Sequence, residues 1–560
     1  MSNFLVKLHL ILFIYVLNLG CSEEASKRVE AVSDSRPNLV LIVADDLGFA
    51  EIGAFGSEIQ TPNIDRLAET GMTFSQFYVA PGCSPTRSML FSGVDNHIAG
   101  LGVMQEFLDL DGLLPPDFQA LIDLQRGQPG YEGHMNFRVA SIADLLSRAG
   151  YRTLMAGKWH LGLEKNQRPN ARGFEKSFAL LNGGASHFSD GWVLPAPWQP
   201  AIYTYNDEEV SLPDDFYSTI SYTDHLIDWI ASATQETPDK PFFGYLAFTA
   251  PHDPLHVPDK DLNLYAGQYD NGYEEVRNRR LSALQKLGLM PQTFSAGSLP
   301  QLPKWDSLTA QQQREEARRM EIYAAMVEVM DRQIGRLIEA LERSGELENT
   351  LIVFMSDNGA SPSNFAGYGF TGDEFDNSVE NLWRKGSFTS YNINWARAGS
   401  AHLRLFKGTT AEGGIRVPLI ITGPNVPEDT VSDAVLHVTD ITQTFLDIAK
   451  APKPETLGLQ AMTGKSMKPV LFEGARSVRD ENDTIGWAFL GQRALRMGRW
   501  KILWMAPPTG TGKWELYDII DDPSEANDLA QVNPEILERL IVRWDEYVAT
   551  NGVIVSGQTQ

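Results

Sequence analysis

A set of short apolar runs, each cut off abruptly by polar residues, constrains this chain more than any other feature. Asn38–Ala44 runs into Asp45-Asp46, and Arg152–Ala156 runs into Gly157-Lys158-Trp159-His160. Phe242–Phe248 runs into Thr249-Ala250-Pro251-His252, and Thr350–Met355 into Ser356-Asp357-Asn358-Gly359. Val417–Thr422 is a fifth run. Segments this short and this uniformly apolar suit strands buried on both faces, as in a parallel sheet. Helical patterns lie between them: Ile142, Leu145, Leu146 and Ala149 share one face ahead of Gly150, and Ile322, Met326, Val329, Leu337 and Leu341 share another ahead of Gly345. The alternation predicts an α/β fold, a large mostly parallel sheet sandwiched by helices. Ligands of such sheets sit beyond the carboxyl ends of the strands. Four of those ends carry Asp, Asp, Lys, His, His, Asp and Asn, so one polar site is expected there.

The sheet-forming domain is expected over 37–455. Beyond it, Trp500–Trp504 and Trp514–Tyr517 read as short strands and Pro534–Ala549 as a helix. They predict a smaller C-terminal α+β subdomain over 456–560, an antiparallel sheet covered by a helix. At the other end, Lys7 precedes the apolar stretch Leu8 to Leu19, which is followed by Gly20 and Cys21. A basic start, a short apolar run and a small residue read as an export signal over 1–21, too short for a span of ~20 residues. The placement of Cys21 resembles a bacterial lipoprotein signal, with plain secretion as the alternative. Residues 22–36 then form a polar tether. The expected location is the periplasm or the cell surface, with contact to membrane only through a lipid anchor. The 72 acidic residues outnumber 47 basic ones, and the net charge of −25 excludes the basic footprint that nucleic acid requires. Two cysteines exclude a disulfide scaffold and a cysteine-rich zinc site.

The stretch Cys83-Ser84-Pro85-Thr86-Arg87-Ser88-Met89-Leu90-Phe91-Ser92-Gly93 reads as a loop entering a helix, with Ser84 as N-cap and Pro85 at the first helical position. Cys83 then lies at a helix N-terminus, which favours an anion. Taken alone, a structural cysteine beside a capped helix is the commoner reading. But Cys-x-Pro-x-Arg leading into a Leu…Gly helix resembles the signature of the sulfatase family. Further motifs follow in the family's order: Asp45-Asp46-Leu47-Gly48, Thr61-Pro62-Asn63-Ile64-Asp65, Gly157-Lys158-Trp159-His160, Ala250-Pro251-His252, Ser356-Asp357-Asn358-Gly359, and Lys407 ahead of Glu412-Gly413-Gly414-Ile415-Arg416. The similarity spans roughly residues 36 to 550 and is nearest to the bacterial alkyl/arylsulfatase branch.

The resemblance implies an alkaline-phosphatase-like fold and hydrolysis of small aryl or alkyl sulfate monoesters. It implies that a maturation enzyme converts Cys83 to formylglycine. One calcium ion per chain, with magnesium as an alternative, would be held by Asp45, Asp46, Asp357, Asn358 and residue 83. All-oxygen ligation of this kind suits a hard cation. A sulfate ester repels nucleophiles through its nonbridging oxygens, so fixed positive charge must absorb that repulsion; Lys158 and Lys407 are assigned this task. Hydration of the aldehyde would supply one hydroxyl for attack on sulfur and a second to expel sulfate. Arg87 would orient this group, with His160 as its partner and His252 as the acid for the leaving oxygen. Individually these residues have plainer readings: Lys158 as a cation–π partner of Trp159, Lys407 as a surface charge, and His252 as a loop histidine. His256 and His402 are expected near the entrance. Two rival functions are a phosphoester hydrolase of the same superfamily and a non-catalytic binder of sulfated ligands. For substrate choice the sequence offers an insertion over 104–128, and the aromatic residues Trp383, Phe388, Tyr391 and Trp395, which suit either an apolar leaving group or the core.

Overall fold

A computed structural model describes residues 36–556 except 111, 113, 192–199, 293, 295–302, 364–374 and 379. The export signal, Cys21 and the tether lie outside the described residues. Eleven strands build the main sheet: β1 Asn38–Ala44, β2 Gly71–Tyr78, β3 Arg152–Lys158, β4 Lys176–Leu180, β5 Tyr203–Tyr205, β6 Glu208–Glu209, β7 Phe242–Ala247, β8 Thr350–Ser356, β9 Arg416–Thr422, β10 Thr430–Ser432 and β11 Leu436–His437. Their order is β10-β2-β9-β8-β1-β7-β3-β4-β5-β6, with β11 beside β2. The four central strands are parallel and in close register: Ala44 pairs with Ser356, Val43 with Ala247, and Gly157 with Ala247. Their carboxyl ends therefore lie along one edge, and the polar residues that stop each apolar run converge there.

One run departs from expectation. Val417–Thr422 lies in β9, which is antiparallel to both β8 and β2. It is buried on both faces, and that burial gives an apolar run whatever the strand direction. Six strands of this sheet, β2, β4, β5, β6, β10 and β11, were not evident from sequence. β2 is wholly buried yet includes Thr73, Ser75 and Gln76, and β4 is only five residues long.

Alternation along β1 divides the core in two. Val40, Ile42 and Ala44 pack toward the helices Ser218–Glu236 and Ala310–Ser344. Leu39, Leu41 and Val43 pack toward Cys83–Ser92 (α1), Ile142–Arg148 (α2) and Val438–Ala449. This is the two-sided burial that continuous apolar strands require. The 35-residue helix Ala310–Ser344 starts on a Thr309/Gln312 capping box and stops at Gly345, whose φ of 75° suits only glycine well.

The second sheet is antiparallel: β12 Thr484–Phe489, β13 Gln492–Met497, β14 Trp500–Trp504 and β15 Glu515–Asp518. One face carries Leu495, Ile502 and Leu516 against Leu540 and Trp544 of the helix Pro534–Asn551. The other sets Ile485, Trp487, Ala494 and Leu503 against Tyr78, Ala411 and Ile415 of the main body. Buried Lys501 lies 2.8 Å from both Glu412 and Glu525 across this contact. The chain from Arg36 onward is one compact unit.

Candidate active site

Two of the strand ends turn sharply at their polar side chains. Asp46 and His160, just past β1 and β3, have φ values of 68° and 56°. These left-handed conformations cost of order 1 kcal/mol or more each and concentrate at functional sites. Gly157 has φ 123°, and a Cβ there would lie 1.8 Å from the Ala247 carbonyl oxygen, so no other residue fits ahead of Lys158. Asp357 N donates to Ala44 O, and Asp46 N donates to Asp357 Oδ1 (3.2 Å), tying the ends of β1 and β8 together.

Cys83 opens α1 and is buried with a free thiol. Its Sγ lies 3.4 Å from Asp45 Oδ1 and 3.7 Å from Asp46 Oδ1. The helix begins two residues earlier than the sequence indicates. Gly82 holds the N-cap position and Cys83 is already helical, so Ser84 is not the cap and Pro85 stands third. Arg87 follows one turn later, fully buried. Its Nε and Nη2 reach Asp357 Oδ2 at 2.9 and 2.8 Å, and Nη1 donates to Lys158 O and the Tyr245 hydroxyl. Lys158 Nζ donates to Asp45 Oδ2 at 2.6 Å, and Lys407 Nζ to both oxygens of Asp46 at 2.6 and 2.7 Å. His252 brings Nε2 within 3.5 Å of Asp46 Oδ2 and donates from Nδ1 to Asp253 O at 2.6 Å, which fixes its neutral tautomer.

The electrostatics are those of a buried cluster with opposed charges. Burial works against ionisation of Asp46, but Lys407, His252 and Lys158 outweigh it and hold its pKa below the ordinary carboxylate range. Burial and then Asp357 push the Cys83 thiol well up, so it stays protonated and is not itself a nucleophile at neutral pH. Burial holds His252 down to about 3 despite the opposing pull of Asp46. Burial acts to lower Lys158 and Lys407, yet the carboxylates beside them prevail and both stay cationic.

Donor atoms of Asp45, Asp46, Cys83 and His252 lie within 4.8 Å of one another, all buried. Asp357 stands just behind them, turned toward Arg87. Asn358 Nδ2 donates to Asp46 Oδ1, while Asn358 Oδ1 is buried with no hydrogen-bond partner. An orphaned amide oxygen beside converging carboxylates is what an oxygen-seeking cation requires, so the residues fit a calcium- or magnesium-type ion.

The structure also decides several readings that the sequence left open. Lys158 pairs with Asp45, while the Trp159 indole donates to Gln167 O. His256 and His402 do not line an entrance. Both are fully buried; His256 bonds Ser387 O, and His402 packs against Phe49 and Phe294. Trp383, Phe388, Tyr391 and Trp395 are all core residues. The 104–128 insertion does reach the site, through a residue the sequence did not single out. Glu106, in the short helix Gln105–Asp109, places Oε1 2.8 Å from His160 Nε2. His160 therefore lies beside Glu106, at the edge of a cavity of about 250 Å³ lined also by Gly183 and Gly184.

The turn joining β12 to β13 touches the loops that carry Lys407 and Cys83. Gln492 accepts from Thr410 N and donates to Gly408 O, next to Lys407, and the Phe489 ring lies 3.1 Å from where a Cβ on Gly82 would stand. Phe489 also meets Phe107 of the insertion edge-to-face.

A sulfatase family model matches residues 37–451, and a model described as the C-terminal part of N-sulphoglucosamine sulphohydrolase matches residues 404–544. The chain is 42% identical over 539 residues to an uncharacterised sulfatase of Schizosaccharomyces pombe, covering 93% of this chain and 95% of that one. It is 40% identical over 449 residues to an arylsulfatase of Klebsiella aerogenes, covering 79% and 91%. Among solved structures, Ps i-CgsB in complex with k-i-k-neocarrahexaose superposes with a TM-score of 0.65 at 26% identity, covering 94% and 95%. A phosphonate monoester hydrolase of Agrobacterium radiobacter shares the fold, with a TM-score of 0.56 at 18% identity over 92% and 96%.

Proposed function

Because this chain belongs to the sulfatase family and is a sulfuric ester hydrolase, we propose that it cleaves small aryl or alkyl sulfate monoesters using Cys83 converted to formylglycine, beside one bound calcium ion. The observation that carries this reading is the position of Cys83: its Sγ lies 3.4 and 3.7 Å from two buried carboxylates at the head of a helix. Asp45, Asp46, Asp357, Asn358 and residue 83 would hold the cation, which supplies fixed positive charge for the nonbridging oxygens of the ester. The hydrated aldehyde supplies one hydroxyl to displace the alcohol from sulfur and a second whose deprotonation releases sulfate.

The remaining roles fall to side chains of the chain itself. Lys158 and Lys407 flank the carboxylates on either side and would bind the sulfate oxygens. Arg87 is held rigidly by Asp357, Tyr245 and the Lys158 carbonyl, and it would orient residue 83 rather than the substrate. His160 is a partner for residue 83. His252 Nε2 is the free, unprotonated nitrogen of a neutral ring whose Nδ1 is already engaged, so it would first take the proton given up by the attacking hydroxyl of residue 83 and then pass it to the leaving oxygen.

Mass spectrometry of the peptide around residue 83, from chain co-produced with a formylglycine-generating enzyme, tests the nucleophile. An aldehyde at that position supports the reading; an unmodified thiol in fully active protein would overturn it. Elemental analysis tests the metal, since stoichiometric zinc would favour phosphoester hydrolysis. We further propose export and anchoring through Cys21; among the described residues no helix is long and apolar enough to cross a membrane. A Cys21→Ser variant that stays in the membrane fraction would refute the anchor.

A further inference from the structure

The two halves of the site differ in charge. At the sulfate end Lys158, Lys407 and Arg87 balance the carboxylates of Asp45, Asp46 and Asp357, whereas the cavity beyond His160 is acidic. Glu106, Asp109 and Glu164 line it, and no lysine or arginine does among the described residues. Its volume of about 250 Å³ suits a leaving group of one ring.

Two polar atoms on this wall have no partner. The His160 side chain is only 7% exposed, and its Nδ1 is buried without a hydrogen bond. Glu106 spends Oε1 on His160 Nε2, while its Oε2 is also buried and unbonded. Buried polar atoms without partners are costly and rare in finished structures, so both are suited to meeting a ligand. The pair is held by close packing against bare backbone. A Cβ on Gly183 would lie 2.5 Å from Glu106 Oε1 and 2.6 Å from His160 Cε1, and one on Gly184 would lie 3.0 Å from His252 Cε1. Glu106 is ionised, because the His160 charge outweighs burial and lowers it to about 2.

Resting on the reading of this site as a sulfate-ester hydrolase, we propose that Glu106 sets the charge specificity of the leaving-group pocket. The pocket accepts ring-sized alcohols or phenols that are neutral or cationic and offer a hydrogen-bond donor to Glu106 Oε2. It rejects leaving groups that carry a second anion. The ester is thereby oriented end to end, with its sulfate drawn to the two lysines and its organic part to the acids. A second sulfate or carboxylate on the ring would face the buried Oε2 of Glu106 with the exposed Asp109 and Glu164 beyond it, and like charges there repel.

The test uses the full chain with Cys83 matured, and two nearly isosteric esters, 3-carbamoylphenyl sulfate and 3-carboxyphenyl sulfate. Wild type is expected to favour the neutral ester in kcat/KM by about tenfold or more, which corresponds to roughly one such repulsion. Glu106→Gln is expected to shrink that ratio severalfold. So is Asp109→Asn, which alters an exposed residue of the same wall and poses no risk to folding. A mere role in positioning His160 would lower both esters alike and leave the ratio unchanged. Equal rates in wild type, or a ratio unmoved in both variants, overturns the proposal. Loss of turnover on both esters by matured wild type would instead remove the reading on which it rests.

Discussion

Replacing His252 by alanine separates acid catalysis from simple sulfate binding. The ring is 6% exposed, its Nδ1 is committed to Asp253 O at 2.6 Å, and only Nε2 faces the reacting cluster. In the neutral tautomer Nε2 carries no proton, so its part is to relay to the departing oxygen the one given up by the attacking hydroxyl of residue 83, and its loss matters only when the leaving group is basic. General-acid assistance is typically ~10²–10⁴-fold, about 3–5 kcal/mol of barrier. An alkoxide is too basic to leave unprotonated, so the upper part of that range is expected for an alkyl sulfate. A nitrophenol departs as its anion, so nitrophenyl sulfate should lose about tenfold or less. The assay is kcat/KM of wild type and His252→Ala across phenyl sulfates of graded leaving-group acidity, plotted against leaving-group pKa. A steeper line for the variant, opening a gap of ~10² or more at the basic end, is the expected result. Parallel lines would refute the reasoning, because the sulfate moiety is common to all these esters. The acid role would then pass to Lys407.

Cys83→Ala should abolish turnover while leaving the fold and metal binding largely intact, since four of the five proposed ligands remain, checked by activity, circular dichroism and elemental analysis; near-normal activity would end the proposed mechanism. Asp45→Ala or Asp357→Ala should lose the cation and the activity together, as should prolonged chelation of wild type, with recovery on adding calcium. Lys501→Met strips the cation from two fully buried carboxylates, Glu412 and Glu525. It should lower stability by about 3–5 kcal/mol, seen as a fall in thermal midpoint and largely restored when both glutamates become glutamine. Burial, opposed by Arg280, raises Glu51 from 4.5 to about 7, so the native state holds its proton where the unfolded chain has lost it. That stability is present in full below pH 4.5 and fades by about 3 kcal/mol as pH rises to 7. Glu51→Gln should therefore flatten the dependence of thermal midpoint on pH between 5 and 7.5, and an unchanged slope would contradict the assignment.

Most of the site was legible because a parallel sheet turns a one-dimensional pattern into a location. Each apolar run ends where its strand ends, so the residues after Ala44, Ala156, Phe248 and Met355 had to meet along one edge. What escaped was information that strand periodicity does not carry. β2 is buried, yet its Thr73, Ser75 and Gln76 conceal it. The direction of β9 depends on its neighbours, not its composition. The start of α1 at Cys83, capped by an extended Gly82, reflects a backbone conformation that Ser84 and Pro85 imitate in sequence. Glu106 sits in an irregular insertion far from any strand end, and only the fold sets it against His160. A carboxylate followed closely by a buried aliphatic residue, as Glu106 is by Leu108, is too common a pattern to have marked it.

The β12–β13 turn has a consequence in time. Every residue assigned to the metal, to residue 83 and to the sulfate is synthesised before residue 484, yet Gln492 and Phe489 arrive afterward to press on the loops of Lys407 and Cys83. A nascent or truncated chain lacking this hairpin would carry all the catalytic side chains with two of their loops unsupported. Were residue 83, 1% exposed in the finished molecule, converted by a maturation enzyme as proposed, the interval before this hairpin closes would be its period of access.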